Sequence, residues 1–288
     1  MTETLRFWGT RGSIPTPGPH TARYGGNTPC VSVGERDDRL LILDAGSGIR
    51  PLGQALLDRR SSGIHARIIL SHTHWDHIQG LPFFKPLIAQ GNAVTIYGAA
   101  QGSVRLEQIL DRQMDPMVFP VPLRALGAEL TIEEICEEPF EVDGWAIQPF
   151  RLRHPGTTLG FRLTPRSGGR DLAYVTDNEL GDGGSYPVPA GWRAGLAERL
   201  RGVDTLIHDA MYSEDAIASR AGWGHSTPQQ AVELAAECGA RRLILFHHEP
   251  EHGDDVVDHL LADARALARR LAPALVVDAA REGMAAEL

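Results

Sequence analysis

The feature that most constrains this chain is a histidine-rich segment that directly follows an apolar run. Residues 67–70 read Arg-Ile-Ile-Leu, which predicts a strand, and His-Thr-His-Trp-Asp-His begins two residues later. Imidazoles and a carboxylate crowded together are costly to desolvate unless a cation balances them. The segment therefore predicts a metal site at a strand end, with His72 and His74 facing one position and Asp76 with His77 facing a second position beside it.

The ligand types leave the identity of the metal open. Imidazoles and carboxylates without thiolates suit zinc, and they also suit manganese or iron. The three cysteines, Cys30, Cys136 and Cys238, are far apart in sequence and predict neither a disulfide framework nor a thiolate zinc site. The alternatives to a metal site are a solvated histidine-rich loop and a metal-free hydrogen-bonded cluster.

One segment cannot complete two metal sites, and further candidates follow other apolar runs. His154, Asp177 and His247 with its neighbour His248 all stand where a predicted strand ends, the place where α/β folds put their chemistry. Asp44 closes another apolar run, a placement that suits a hydrogen bond to a ligand imidazole from the second shell. We place His248 in the second shell or at the surface, and any single strand-end histidine could be a hydrogen-bonded surface residue.

The apolar patterns predict a mixed α/β fold with two β-sheets and outer helices. A capping box at Thr227 and Gln230 predicts a helix that ends at Gly239. Residues 166–191 read as loop on both sides of a strand at 172–175, and we expect a single domain over residues 1–288. The remaining predicted helices are 50–60, 102–114 and 256–271. The predicted strands are 4–8, 40–43, 67–70, 93–97, 145–152, 159–163, 172–175, 205–207 and 243–246.

Charge and composition indicate which class of substrate the protein binds. The 288 residues carry 37 acidic against 28 basic side chains, for a formal charge of −9, and Lys85 is the single lysine. Proteins that grip long nucleic acids usually carry excess positive charge, so this balance favours a small anionic substrate. No apolar run reaches the roughly 20 residues of a membrane span, and residues 1–7 lack a basic region followed by an apolar block. We therefore expect an unanchored cytoplasmic protein.

The histidine segment resembles the HxHxDH signature of the metallo-β-lactamase fold superfamily, and the order of the downstream candidates resembles the remaining ligands of that family. The resemblance implies a four-layer αβ/βα sandwich and two divalent metal ions. It implies one ion bound by His72, His74 and His154, a second bound by Asp76, His77 and His247, and Asp177 bridging both.

Further segments resemble the tRNase Z branch of the superfamily. Residues 206–210, Leu-Ile-His-Asp-Ala, resemble its HEAT segment with Asp209 at the glutamate position, and residues 224–227, Gly-His-Ser-Thr, resemble its HST segment. Residues 243–247 resemble its final ligand strand. The chain lacks the long glycine-rich and basic insertion of the tRNA-gripping arm, and its residues 6–15 lack the usual loop pattern. In this it looks more like cyclic-nucleotide phosphodiesterases of the anti-Pycsar type.

The resemblance assigns catalytic roles. Two adjacent divalent cations can supply an attacking hydroxide for phosphoryl chemistry, and we count Asp76 among the catalytic residues as well as the ligands. His225 is the candidate general acid, and Asp209 orients it or raises its charge. Alternatively, His225 bonds a loop before a helix and Asp209 caps the helix that begins near Ser213. We expect Trp75 and Trp223 to pack in the core, with base stacking as the alternative.

These observations favour hydrolysis of a small or cyclic phosphodiester, a 3′,5′-cyclic nucleotide in particular. The alternatives are processing of tRNA 3′ ends and hydrolysis of an ester, thioester or lactone by the same dinuclear centre. A metal-stabilised scaffold that binds without turnover is the non-enzymatic alternative. Related phosphodiesterases form homodimers, and a dimer is the commonest symmetric assembly, so we expect a homodimer.

Overall fold

Two seven-stranded β-sheets lie face to face in the computed structural model, which describes residues 3–34 and 40–288. The strands are β1 (Thr4–Gly9), β2 (Cys30–Val33), β3 (Leu40–Leu43), β4 (His65–Ile69), β5 (Ala93–Gly98), β6 (Glu129–Glu134), β7 (Phe140–Val142), β8 (Trp145–Arg151), β9 (Leu159–Pro165), β10 (Leu172–Val175), β11 (Thr205–Asp209), β12 (Arg242–Phe246), β13 (Val276–Ala279) and β14 (Ala285–Glu287). The helices are α1 (Ile49–Arg59), α2 (Trp75–Ile78), α3 (Lys85–Ile88), α4 (Leu106–Gln113), α5 (Trp192–Arg199), α6 (Glu214–Ile217), α7 (Pro228–Cys238) and α8 (Asp254–Leu271).

Both sheets are mixed. The first has the order β14-β1-β2-β3-β4-β5-β6, in which β3 to β6 run parallel. The second has the order β13-β12-β11-β10-β9-β8-β7, in which β10 to β13 run parallel. Because the carboxyl ends of parallel strands meet at one edge of a sheet, the loops after β3, β4, β10, β11 and β12 gather at corresponding edges.

Apolar residues fill three layers. Phe7, Tyr174 and Phe246 meet between the sheets, where the Phe246 ring lies 5.8 Å from each of the other two. A second layer packs the first sheet against α1, α3 and α4, and a third packs the other sheet against α5, α7 and α8. Strands buried on both faces need apolar residues throughout, which explains the continuous Leu-Leu-Ile-Leu of β3.

The predicted architecture of two mixed sheets with outer helices is confirmed. Every predicted strand is present, and the capping box at Thr227 begins α7, where the Thr227 hydroxyl accepts a hydrogen bond from the Gln230 amide. The helix predicted over 102–114 begins only at Leu106, because residues 101–104 form a turn with Gly102 at φ 59°. Residues 166–191 are loop on both sides of β10, as expected.

The strands that the sequence analysis missed are short or lie toward the sheet edges. Four of them lack an uninterrupted apolar run because part of their surface is exposed, whereas the fully buried β2 is four residues long and its apolar run is interrupted by Ser32. In β6 the sequence Glu-Leu-Thr-Ile-Glu-Glu leaves its glutamates exposed. The missed strands are β2, β6, β7, β13 and β14.

No helix within residues 3–34 and 40–288 combines the length and apolarity needed to cross a bilayer. The longest, α8, carries charged residues along its whole length. The N-terminal residues Met1 and Thr2 lie outside the described residues. The cytoplasmic location and the single domain over residues 1–288 stay predictions.

Candidate metal centre

The residues that form the centre lie in turns that leave strands of both sheets. Asp44, Asp177 and His247 directly or almost directly follow β3, β10 and β12, and they adopt the left-handed backbone conformation with φ values of 61°, 45° and 61°. Non-glycine residues rarely adopt this conformation, and such strain concentrates at functional sites. The strained turns aim three acidic or imidazole side chains into the gap between the sheet edges.

One cluster combines three histidines with an aspartate. His72 and His74 come from the loop after β4, His154 comes from the loop after β8, and Asp177 comes from the turn after β10. The His154 Nε2 and His74 Nδ1 atoms lie 2.9 Å apart. Asp177 Oδ2 lies 3.7 Å from His72 Nε2 and 3.6 Å from His154 Nε2. One donor atom from each of these residues lies within 4.8 Å of the others.

A second cluster shares Asp177 with the first. Asp76 and His77 lie on α2, and His247 follows β12. Asp177 Oδ1 lies 3.1 Å from His77 Nε2 and 3.2 Å from His247 Nε2. Asp76 Oδ2 lies 3.3 Å from His77 Nε2 and 3.2 Å from His247 Nε2. Asp177 therefore turns one carboxylate oxygen toward each cluster, as a bridging ligand would.

The side chains present fit divalent cations. Within the described part of the chain, the buried His72 Nε2 and His77 Nε2 atoms have no hydrogen-bond partner. Burial lowers the pKa of His72 well below its usual range, which keeps the imidazole neutral, as a ligand must be. Burial alone would raise the pKa of Asp177, but the surrounding imidazoles, His247 and then His77 foremost, hold it well below its usual range. Imidazole nitrogens that face buried carboxylates are the donor set of a metal centre.

Asp44 supports the second cluster from behind. Its Oδ2 atom accepts a hydrogen bond from His77 Nδ1 at 2.8 Å and another from the Tyr174 hydroxyl at 2.7 Å. The amide of Ser71 donates to the other carboxylate oxygen at 2.7 Å. Because His77 Nδ1 points to Asp44, the Nε2 atom of the same ring faces the cluster. Asp44 thus contacts a predicted ligand imidazole, and its role behind a metal ligand stays a prediction.

His154 is oriented in the same way by a backbone carbonyl. Its Nδ1 atom donates to the Gly224 carbonyl oxygen at 3.0 Å, which leaves Nε2 for the first cluster. Glu179, 2% exposed, anchors this turn, since its Oε2 atom accepts hydrogen bonds from the amides of Gly222 at 2.9 Å and Gly224 at 3.0 Å. The sequence analysis missed Glu179. Its only signal was its position two residues after Asp177.

The N-terminal strand also reaches the centre, which the sequence analysis did not predict. The amide of Ser13 donates to Asp76 Oδ2 at 2.7 Å, and Ser13 has a left-handed φ of 60°. A Cβ atom at Gly12 would lie 2.5 Å from the His247 ring, so only glycine allows this close approach. Residues 6–15 were noted only for lacking a tRNase Z pattern.

The predicted acid pair is assembled beside both clusters. His225 Nδ1 donates to Asp209 Oδ2 at 2.6 Å, and the His225 ring stacks 5.1 Å from the His247 ring. Asp209 Oδ1 accepts from the amides of Met211 and Ser226, at 3.0 and 3.2 Å. The aspartate at the position of the family's glutamate therefore reaches His225. It does not cap the helix after Ser213, where α6 has no side-chain cap.

The environment favours a protonated His225. Burial alone would lower its pKa, but the Asp209 carboxylate, followed by Asp177 and Asp76, raises the pKa of His225 to about 9. The residue is 7% exposed, so its imidazolium is shielded from bulk solvent. At neutral pH the pair holds a proton next to the predicted metal ligands.

The structure contradicts the expected burial of two tryptophans and the surface alternative for His248, and it gives no support to the second-shell alternative for His248. The prediction that Trp75 and Trp223 pack in the core is wrong, because they are 70% and 55% exposed. The surface alternative for His248 is wrong as well, since the residue is 3% exposed. Its Nε2 atom donates to the Ala280 carbonyl at 2.9 Å, and among the described residues its side chain bonds no predicted ligand. Burial lowers the pKa of His248 to about 3, so it stays neutral.

Comparison with known proteins assigns the class. Residues 39–248 match the family described as "Beta-lactamase superfamily domain". The match spans most of the chain, and the chain therefore belongs to the metallo-β-lactamase superfamily. It is a hydrolase, and its histidine and aspartate clusters suit a divalent metal centre. A curated relative, Ribonuclease BN of Cronobacter sakazakii (strain ATCC BAA-894), is 26% identical over 306 residues, which cover 91% of this chain and 94% of that protein.

Solved structures share the fold across almost the whole chain. The metallo-β-lactamase fold protein YhfI from Bacillus subtilis has a TM-score of 0.68 at 18% identity and covers all of both chains. A diphosphatase from the PhnP family has a TM-score of 0.65 at 21% identity, covering 100% of this chain and 98% of that one. The short form of human tRNase Z has a TM-score of 0.63 at 22% identity, covering 98% of each chain. At these identities the likeness establishes the fold alone.

Proposed function

We propose that this protein is a dinuclear metal-dependent phosphodiesterase that hydrolyses small or cyclic phosphodiesters, 3′,5′-cyclic nucleotides in particular. The observation that carries the proposal is the His225–Asp209 pair, at 2.6 Å, stacked against His247 at the edge of two clusters that share Asp177. A phosphodiester needs both electrostatic stabilisation at phosphorus and a proton for a poor leaving group. The His225–Asp209 pair would supply the proton, and metal ions held by the adjacent clusters would supply the electrostatic stabilisation.

The proposal assigns a role to each group of residues. One ion would be held by His72, His74 and His154, the second by Asp76, His77 and His247, and both by Asp177. When bound, such ions polarise the phosphoryl oxygens and lower the pKa of water. His225 Nε2 would donate its proton to the leaving ribose oxygen as the P–O bond breaks. Asp209 would hold the imidazole in place and stabilise its charged form.

A small substrate is favoured by the charge of the molecule. The formal charge is −9, and the chain has a single lysine, Lys85. A polyanion would meet net repulsion at long range, whereas a small phosphodiester needs only the local field of the centre. Zinc is the proposed metal because the donors are imidazoles and carboxylates, and manganese or iron would use the same set.

Processing of tRNA 3′ ends is the second candidate function. It is favoured by the ribonuclease relative, which aligns with 91% of this chain, and by the fold shared with human tRNase Z. The same acid pair and clusters would serve this reaction, since the scissile bond is again a phosphodiester. The two candidates therefore differ in how the substrate is bound and share the chemistry.

A substrate panel tests the proposal. We expect the metal-replete protein to hydrolyse at least one 3′,5′-cyclic nucleotide, and bis(p-nitrophenyl) phosphate more slowly. Cleavage of a precursor tRNA with no turnover of cyclic nucleotides would favour the second candidate. No turnover of any phosphodiester at micromolar enzyme would reject the whole class.

A carboxylic ester, a thioester and a lactone added to the panel test a third chemistry, hydrolysis of these substrates by the same centre. A carboxylic ester does not require protonation by His225, so full activity in His225→Ala would favour this chemistry. For a 3′,5′-cyclic nucleotide, whose leaving ribose oxygen needs a proton, we expect His225→Ala to lower kcat by about 100-fold or more, the usual size of a lost general acid. The metal content of the variant serves as its control, since His225 is not among the proposed ligands.

Two further proposals concern the molecule as isolated. We expect zinc to be the main metal of the isolated protein. Elemental analysis together with anomalous scattering at the zinc and manganese edges would test this. We also propose a homodimer and a cytoplasmic location, which light scattering at several protein concentrations and cell fractionation would test.

A further inference from the structure

An exposed tryptophan lies at the edge of the centre, beside the acid pair. Trp223 is 55% exposed and precedes His225 by two residues in the segment whose Gly224 carbonyl orients His154. Large aromatic side chains are usually buried, so an indole left in water next to a reaction centre calls for an explanation.

The neighbours of Trp223 form a compact group that contacts the acid pair. The Tyr212 ring meets the Trp223 ring at 6.5 Å and meets the His225 ring edge-on at 5.6 Å. Tyr212 is 3% exposed and follows Asp209 by three residues. The aromatic group is therefore joined to the acid pair both along the chain and by ring contacts.

A guanidinium lies over both of these rings. Arg220 lies over the Trp223 ring at 4.8 Å and over the Tyr212 ring at 5.3 Å, and it is half-buried. Within the described part of the chain no carboxylate lies close enough to form an ion pair with it. Planar guanidinium groups stack on aromatic faces and present donors in a fixed plane. Arg220 thus packs against both rings, and its guanidinium carries N–H donors that the ring contacts do not use.

An acceptor completes the group. Glu249 follows the His247-His248 pair and is half-buried. Burial raises the pKa of its carboxyl, and Arg220 is the largest of the influences that lower it. Its Oε2 atom is buried and has no hydrogen-bond partner among residues 3–34 and 40–288. A buried carboxylate oxygen without a donor is costly, and a ligand N–H or O–H would satisfy it.

We propose that Trp223, Arg220 and Glu249, supported by Tyr212, form a nucleobase subsite next to the reaction centre. The base stacks on the exposed indole, the Arg220 edge donates to a base or ribose acceptor, and Glu249 Oε2 accepts a base N–H or a ribose O–H. Stacking of a base on an aromatic ring suits every base, so the subsite recognises a nucleoside next to the scissile phosphate.

The inference rests on the proposed phosphodiesterase function for its placement beside a phosphate. A nucleobase attached to that phosphate could come from a cyclic mononucleotide or from the nucleotide at an RNA cleavage site. The recognising chemistry is the same for both sources. The substrates compared below tell them apart.

The kinetic test compares nucleotide substrates with a base-free one. We expect Trp223→Ala and Arg220→Ala to raise KM for the nucleotide substrate by about 5- to 150-fold, the loss that follows removal of a base-stacking contact. The variants should leave kcat, and both constants for glycerol 1,2-cyclic phosphate, within about twofold of wild type. Trp223→Phe should recover most of the loss because it retains a ring. Whether KM rises for a cyclic mononucleotide or for a precursor RNA identifies the source.

Arg6→Ala is a matched control, since Arg6 lies over the Trp8 ring at 5.8 Å on β1, away from this group. It removes a guanidinium stacked on an indole and should leave KM for every substrate unchanged. Equal losses for the nucleotide and the base-free substrate in Trp223→Ala would overturn the subsite, and so would an unchanged KM for all nucleotides.

A binding measurement separates the subsite from the proposed activity. Calorimetric titration should give tighter binding of a nucleoside 5′-monophosphate than of ribose 5-phosphate, and Trp223→Ala should abolish that difference. A preference for the nucleotide without any phosphodiester turnover would reject the proposed function and retain the subsite. Equal affinities of the wild-type protein for the two phosphates would overturn the subsite even if the protein is an active phosphodiesterase.

Discussion

Asp177 is the residue that the two candidate metal clusters share. Its two oxygens face different histidine groups, and it does so from a left-handed backbone conformation with φ of 45°. Aspartate and asparagine tolerate this conformation better than most residues, so the turn after β10 suits the residue type as well as the chemistry.

Asp177→Asn should therefore keep the turn while removing the bridging charge. We expect metal content to fall and hydrolytic activity to drop by at least about 100-fold, because one neutral amide replaces a carboxylate shared by two cations. Elemental analysis and a phosphodiester assay would measure both. Asp143→Asn is the control, since Asp143 has a similar φ of 48° but pairs with Arg67, outside the centre. Full metal content and activity in Asp177→Asn would contradict the ligand assignment.

The contact between Asp209 and His225 predicts a pH effect. Burial alone would lower the pKa of His225, and the Asp209 carboxylate is the largest of the influences that raise it, to about 9. Without that negative charge the imidazolium is less stable and loses its proton at lower pH. We therefore expect Asp209→Asn to shift the alkaline limb of the kcat profile toward lower pH, with a lower plateau. A limb that stays in place or moves upward would exclude His225 as the acid.

At the scale of elements, the segment between β11 and α7 joins the acid pair to the metal ligands. Glu179 binds the amides of Gly222 and Gly224 from the turn after β10, and Gly224 in turn accepts a hydrogen bond from His154. Residues from three separate loops thus set the position of one ligand and of His225, which follows directly in sequence.

This arrangement makes Gly224→Ala damaging for a steric reason. Its φ is +86°, and an added Cβ would lie 2.0 Å from His154 Nδ1, so the ring must move away from the cluster. We expect a loss of metal from the first cluster and of activity by about tenfold or more. Gly222→Ala is the matched control, because its φ is +85° while the nearest atom to its Cβ is 4.0 Å away. If both variants behave alike, backbone strain and not the clash with His154 is responsible.

At the scale of the whole molecule, the centre connects the two sheets. The first sheet contributes the ligands of the segment after β4, which are His72, His74, Asp76 and His77, whereas the other ligands follow strands of the second sheet. Bound cations would therefore crosslink the two halves of the sandwich and would neutralise buried carboxylates that otherwise face each other.

Removal of metal should consequently lower global stability. A chelator is expected to reduce Tm by roughly 5 °C or more, since a ligand present at about 100 times its Kd stabilises the folded state by about 2.7 kcal/mol. Differential scanning calorimetry with and without chelator would measure the shift. The Tm of Asp177→Asn should change little when the chelator is added. A Tm shift in that variant as large as in the wild type would mean that the stabilising metal binds elsewhere.

The local sequence was sufficient to predict the strands with long apolar runs, the N-terminal cap of α7 and the ligand-bearing turns. The apolar runs, the capping box at Thr227 and the histidine segment after β4 act within a few residues of the chain, where hydrogen-bond periodicity and side-chain type determine structure. The candidate residues at other strand ends followed from the same rule, because a strand that is buried must end where polar side chains begin.

Only the tertiary structure brought distant polar groups together and left two tryptophans in water. The contacts of Ser13 with Asp76 and of Glu179 with Gly224 join residues 63 and 45 positions apart, and no local pattern encodes such pairs. The exposure of Trp75 and Trp223 depends on which surfaces the neighbouring elements cover. Periodicity and residue type act over one or two turns of chain, whereas burial and convergence are set by how the packed sheets meet.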